Sequence, residues 1–175
     1  GALTPKSDVS SVWNAISDKN KTVVVAIAPA VRAAIGEAFG DLNESGTSSA
    51  GKMVTALRTM GFKKVFDISF AADMTIIEEA KEFVDRFSSG EKLPQFTSCC
   101  PAWVKFVEQY YPDMIENLSS CRSPQGMFGA IAKKILPDLY GIKKEDLVVV
   151  SVMPCTAKKF EIKRPELSTG GIQDV

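Results

Sequence analysis

Three cysteines stand at positions where a thiol can do chemistry. Cys99 and Cys100 are adjacent and followed by Pro101, while Cys155 follows Pro154 just after the apolar run Leu147 to Met153. A thiolate is both a nucleophile and a ligand for iron or zinc, and a helix start of the kind Pro101 favours lowers a thiol's pKa. Neighbouring cysteines rarely bind one metal together or close an unstrained disulfide. Cys99 and Cys100 therefore point to different tasks, one ligating and the other reacting. The competing reading is that all are small, buried structural residues. Cys121, inside the irregular Ser-Ser-Cys-Arg-Ser segment, reads as structural.

The chain contains no histidine, which removes Ser-His and Cys-His catalysis, histidine-ligated zinc and imidazole pH switching from within it. Any metal must look to cysteine or carboxylate. An iron–sulfur cluster normally takes four thiolates, and this chain offers at most three at suitable places, so a ligand has to come from elsewhere.

The elements that must position these residues follow from patterning. Thr22 to Ile27 is a β-branched run ended by Ala28-Pro29, a buried parallel strand, with a helix expected from about Val31 to Phe39. Met53, Val54, Leu57 and Met60 share a helical face that closes at Gly61, and Lys64 to Asp67 is the next strand. Residues 71 to 87 place Ile76, Ile77, Ala80, Phe83, Val84 and Phe87 at helical spacing, with Glu79 and Glu82 at the border of that stripe. Leu93 to Thr97 reads as a short strand leading to the cysteine pair. Pro101 opens a helix, and Ser123-Pro124 supplies an N-cap and first-turn pair for another ending near Pro137. Leu147 to Met153 is the last strand. Strands alternating with helical crossovers predict an α/β fold with an open, mainly parallel sheet of about four strands flanked by helices. Such sheets bind ligands outside the carboxyl ends of their strands, where both cysteine turns fall.

At 175 residues, with 45% hydrophobic and 24% charged positions, the chain can bury a core as one domain or one lobe of a larger one. We divide it into a connector or helix over 1–21 and the lobe itself over 22–175. Lys plus Arg and Asp plus Glu number 21 each, so no net field favours nucleic acid or an anionic membrane. No apolar run reaches the roughly 18 residues of a membrane span. Gly1 to Lys6 shows no signal-peptide pattern, and cysteines without a leader favour the reducing cytoplasm. The Gly170-Gly171-Ile172-Gln173-Asp174-Val175 end lacks a capping element and reads as cut rather than finished.

Thr97-Ser98-Cys99-Cys100-Pro101-Ala102-Trp103 and Met153-Pro154-Cys155-Thr156-Ala157-Lys158-Lys159-Phe160-Glu161 together resemble the first two signatures of the FeFe hydrogenases. The similarity runs from Ala28-Pro29-Ala30-Val31-Arg32 to about Glu161, the N-terminal half of that family's catalytic domain; the third signature is absent. The resemblance implies an oxidoreductase that interconverts hydrogen with protons and electrons at an H-cluster, a 4Fe-4S cluster joined to a diiron subcluster. Cys100 and Cys155 match two of the four cluster thiolates. Cys99 matches the thiol that passes protons to the diiron unit, with Glu79, Glu82 and Ser119 as the relay from the surface. Lys158 matches the lysine that hydrogen-bonds an iron-bound cyanide, and Met153, Ala28, Pro29, Ser123, Pro124 and Gln125 match further pocket positions. Implied partners are the C-terminal lobe of the same enzyme, ferredoxin or accessory iron–sulfur modules, and hydrogenase maturation proteins. With two matching thiolates, the isolated chain is expected to be inactive and to hold no cluster stably. Competing readings are a hydrogenase-like iron–sulfur assembly factor, a hydrogen-sensing relative, or a cofactor-free docking lobe; Cys99 together with Lys158 argues against the first.

Overall fold

The structure, a computed structural model, describes residues 4–40 and 46–175. It is a three-layer α/β lobe. A parallel sheet in the order β2-β1-β3 is built from β1 (Thr22–Ile27), β2 (Lys64–Asp67) and β3 (Leu147–Val152). Six consecutive pairs, from Thr22 with Leu147 to Ile27 with Val152, register β1 against β3. Every residue of β1 from Val23 to Ile27 is buried, because side chains on both faces meet helices. Val24 and Ala26 face Phe128, Ala132 and Leu136 of α6 (Pro124–Tyr140) and Ala71 of α4 (Ser69–Ser89). Val23, Val25 and Ile27 face Leu57 of α3 (Gly46–Met60), Val31 of α2 (Pro29–Ala38) and Val12 and Ile16 of α1 (Val9–Ser17).

Three strands form the sheet, not four. The segment Leu93 to Thr97 joins nothing in it; Phe96 makes one isolated parallel bridge to Leu118. Pro94 removes a ladder donor, and α4 carries the chain away from the sheet edge before this segment begins. Proline marks the helix starts expected at Pro101 and Pro124, and α2 begins at Pro29 rather than the expected Val31, since a proline at the first turn loses no helical bond. For the same physical reason reversed, Pro137 was expected to end α6, yet the helix continues to Tyr140 and stops at Gly141 in the left-handed region. Pro137 costs one helical bond, to the Lys133 carbonyl, while the Gly141 and Ile142 N–H groups close the last turn onto Asp138 O and Pro137 O. At the carboxyl-terminal end Asp174 is buried and accepts bonds from Arg122 and Thr169. A Cβ on Gly129 would lie 2.5 Å from Val175 Cγ2, so this tail packs directly on α6.

The largest departure is α4. Its apolar stripe is turned outward, with Ile76 65% and Phe87 68% exposed and Ile77, Phe83 and Val84 also open. The inward face carries Ala71, Thr75, Glu79, Glu82 and Arg86 instead. Periodicity located the helix and its stripe correctly, but not what the stripe packs against.

Candidate functional site

Strand order places a topological switch between β1 and β3, since the chain leaves β1 for β2 on one side and β3 lies on the other. The backbone N–H of Ala28 donates to Val152 O across this point at 3.1 Å. Ala28-Pro29 and Met153-Pro154-Cys155 therefore emerge side by side. Beyond them Cys155 is half-buried, and α7 (Lys158–Glu161) begins one turn later.

Lys158 joins the two cysteine turns. Its backbone N–H donates to Cys155 O at 3.3 Å, while its Nζ donates to Cys99 O at 2.8 Å and to Glu161 Oε2 at 2.9 Å. At 8% exposure it is not the solvated lysine that composition alone would favour. Cys99 and Cys100 are exposed, and Cys100 occupies the N-cap position of α5 (Pro101–Tyr110). Ser123 caps α6 by accepting from Gly126 N at 3.2 Å, and buried Gln125 on the first turn accepts a 2.8 Å bond from Ser151 Oγ. Met153, two residues after Ser151, is half-buried.

A second constellation is centred on Glu82. The Phe96 N–H donates to Asn117 O and the Ser119 N–H to Phe96 O, aligning the approach to Cys99 with residues 118 to 121. Ser119 Oγ then donates to Glu82 Oε2 at 2.6 Å, the Ser120 N–H lies 3.1 Å from both carboxylate oxygens, and Arg86 Nη2 donates to Oε1 at 2.7 Å. Burial pushes this carboxyl up, but bonds from Ser119, Ser120 and Arg86 outweigh it and hold Glu82 below its ordinary value. Glu79, one turn back on the same inward face, has Oε1 buried without a protein partner, as does Oε1 of Gln95, whose amide donates to Glu79 O. A buried acceptor of this kind calls for water or a proton donor. Glu82 and Ser119 are thus in direct contact; among the described residues no hydrogen bond joins Glu79 to Ser119 or Cys99.

Four participants escaped the sequence reading. Arg86 and Glu161 had a usable signal, lying one helical turn from Glu82 and Lys158 respectively. Gln95 and Ser98 had none. Ser98 Oγ donates to Cys121 O at 2.7 Å, and the Cys121 N–H to Ser119 Oγ at 3.1 Å, so Cys121 belongs to the framework of this ladder. Burial pushes the Cys121 thiol up, with Glu82, Glu79 and Glu78 adding to it against a bond from Ser119.

Two thiols on turns tied by one lysine fit half of a four-thiolate cluster site. Among the described residues no group of three or more cysteine, aspartate or glutamate side chains is placed for a metal ion. The site is thus an open α/β lobe with one cysteine turn, at Cys155, beyond its switch point, and a second, at Cys99 and Cys100, tied to it by a buried lysine. The chain belongs to the iron-only hydrogenases: residues 21–175 match the sequence model of the family's large subunit, C-terminal domain. It is 53% identical over 181 aligned residues to the NADP-reducing hydrogenase subunit HndD of Solidesulfovibrio fructosivorans, covering 100% of this chain and 31% of that protein. To iron hydrogenase 1 of Clostridium pasteurianum it is 48% identical, covering 99% and 30%. The solved apo FeFe hydrogenase HydA1 of Chlamydomonas reinhardtii superimposes with a TM-score of 0.87 at 40% identity, over 95% of this chain and 42% of that one. Similarity to the rat cytosolic iron-sulfur assembly component 3 is lower, 33% over 85% of the chain. The chain spans about a third of the length of the curated relatives it matches.

Proposed function

We propose that this lobe supplies half of an H-cluster site and the proton path to it, in a hydrogenase that interconverts hydrogen with protons and electrons. The observation that carries the reading is Lys158, buried and bonded to the Cys99 carbonyl from the turn that follows Cys155. Cys100 and Cys155 would hold two corners of the 4Fe-4S cluster, the remaining ligands coming from the C-terminal lobe. When bound, the cluster and its diiron unit supply the electron transfer and hydrogen chemistry. The chain's own residues bind, orient and move protons. Lys158 keeps one of its three N–H groups for an anionic ligand after its two bonds to Cys99 and Glu161. Cys99 is the proton-carrying thiol, supplied from the surface through Glu82 and Ser119 and, across its unpartnered oxygen, Glu79.

The outward stripe of α4 supports the partner. An exposed face carrying Ile76, Ile77, Phe83, Val84 and Phe87 is what a monomer avoids, and relatives about three times longer hold the polypeptide that would cover it. We assign that face to the rest of the same hydrogenase. Among the described residues no helix is long and apolar enough to cross a membrane, and the free cysteines favour a cytoplasmic setting.

The test is a set of single substitutions in a hydrogenase-length protein containing this chain. Cys99→Ser should abolish turnover with iron content near normal, because a hydroxyl's pKa is far too high to replace a thiol in proton transfer. Cys100→Ser and Cys155→Ser should lower iron content. Equal iron loss in Cys99→Ser and Cys155→Ser would overturn the division of labour.

A further inference from the structure

Glu161 ends the second signature, and the relay and the cluster ligands leave it without a task. It closes the single turn of α7 that Lys158 opens, and it is 6% exposed. A buried carboxylate this close to a thiol pocket requires partners. It has two on one oxygen: Oε2 accepts from Lys158 Nζ at 2.9 Å and from Ser123 Oγ at 2.9 Å. The Ser123 hydroxyl also accepts from the Gly126 N–H, so its single proton is directed at Glu161.

We propose that Glu161 is the positioning residue of this site, a carboxylate brace that fixes the Lys158 ammonium and locks together the turn at Cys99, the turn at Cys155 and the start of α6. The inference rests on the hydrogenase reading for what Lys158 finally contacts. The brace itself stands on the contacts above. Lys158 has a flexible four-carbon stem, and two of its three N–H groups are committed, to Cys99 O and to Glu161. With both bonds made, the third N–H has one direction left. Without Glu161, the ammonium keeps only the carbonyl, and its stem is free to swing toward water. Ser123 extends the effect, because the hydroxyl that binds Glu161 is the cap that holds Pro124 and Gln125 at the pocket edge. One carboxylate oxygen therefore links three turns that are distant in sequence.

The experiment uses the hydrogenase-length protein with Glu161→Ala, Glu161→Gln and, as control, Glu166→Ala, which removes an exposed carboxylate bonded to Arg164 and not to Lys158. In cofactor-free protein, amide hydrogen exchange at Lys158 and Gly126, whose N–H groups are bonded to Cys155 O and Ser123 Oγ, should rise about tenfold in Glu161→Ala and stay unchanged in the control. In loaded protein, Glu161→Gln preserves shape but removes the negative charge, so Lys158 turns its full charge on the anionic ligand. The infrared bands of iron-bound cyanide should shift with iron content unchanged, a readout that a purely structural role would not move. Unchanged exchange in Glu161→Ala, or unshifted bands in Glu161→Gln, overturns the proposal. If the unmodified protein takes up iron without cyanide bands, the hydrogenase reading fails, and the exchange measurement still decides the brace.

Discussion

Arg86 is the place where removing one side chain should loosen the candidate proton path without touching the cysteines. Its guanidinium donates to Glu82 Oε1 at 2.7 Å, to Leu118 O at 2.8 Å, to Glu116 O at 3.1 Å and to the carbonyls of Asn117 and Lys92 at 3.3 Å. The fork geometry lets one cation hold α4 against residues 116 to 118, the segment that pairs with Phe96 and presents Ser119. Side-chain exposures of 12% for Arg86 and 18% for Glu82 place the pair between two regimes. An exposed pair contributes about 0.2–1 kcal/mol, and breaking a fully buried one costs about 3–5 kcal/mol. Glu82 keeps its Ser119 and Ser120 bonds when Arg86 is lost, so Arg86→Ala should cost about 2–3 kcal/mol. For a domain of this size each kcal/mol moves the melting temperature by roughly 2–4 °C, which gives a fall of about 4–12 °C by thermal circular dichroism. Arg86→Lys should recover little of it, because a point charge cannot reach the carboxylate and several carbonyls together. A double-mutant cycle with Glu82→Gln should show coupling above about 0.5 kcal/mol. A fall under 1 °C, or an additive cycle, would refute the claim that Arg86 holds this ladder.

Glu82 should leave a signature in acid. Its folded pKa lies below its unfolded one, so the unfolded state binds more protons at low pH; its contribution is present above the unfolded value of about 4.3 and is lost as pH falls through the folded value. Urea unfolding between pH 7 and 3 should show a shallower acid decline in Glu82→Gln, and an identical slope would count against the bonding described. On α4, Ile77→Asp combined with Phe87→Asp should reduce hydrophobic-dye binding and self-association of the isolated chain, whereas a monomer that already excludes dye would contradict the docking assignment. Thiol titration of the native chain should find Cys99 and Cys100 reacting quickly and Cys121 slowly, since the first two are exposed and burial raises the third; a fast Cys121 would place the ladder wrongly.

Local signals were enough to find the elements. β-Branched runs gave β1 and β3, proline marked the first turns of α5 and α6, Ser123 capped as its type suggests, and the Cys155 turn followed its strand, whereas the segment before Cys99 and Cys100 joined no sheet. These features act within a few residues, through φ restriction, side-chain branching and one capping bond, so the chain alone determines them. Packing partners are another matter. The α4 stripe is apolar by composition, but only the fold shows that it points outward while Glu79, Glu82 and Arg86 point inward. That inversion holds because Ser119 and the Ser120 amide satisfy the Glu82 carboxylate and Arg86 binds Leu118 O, contacts made across more than thirty residues. Lys158 likewise reads as a surface residue until the Cys99 carbonyl and Glu161 are seen around it. Burying a charge is unfavourable unless its partners are in place, and which partners arrive is decided by the tertiary fold.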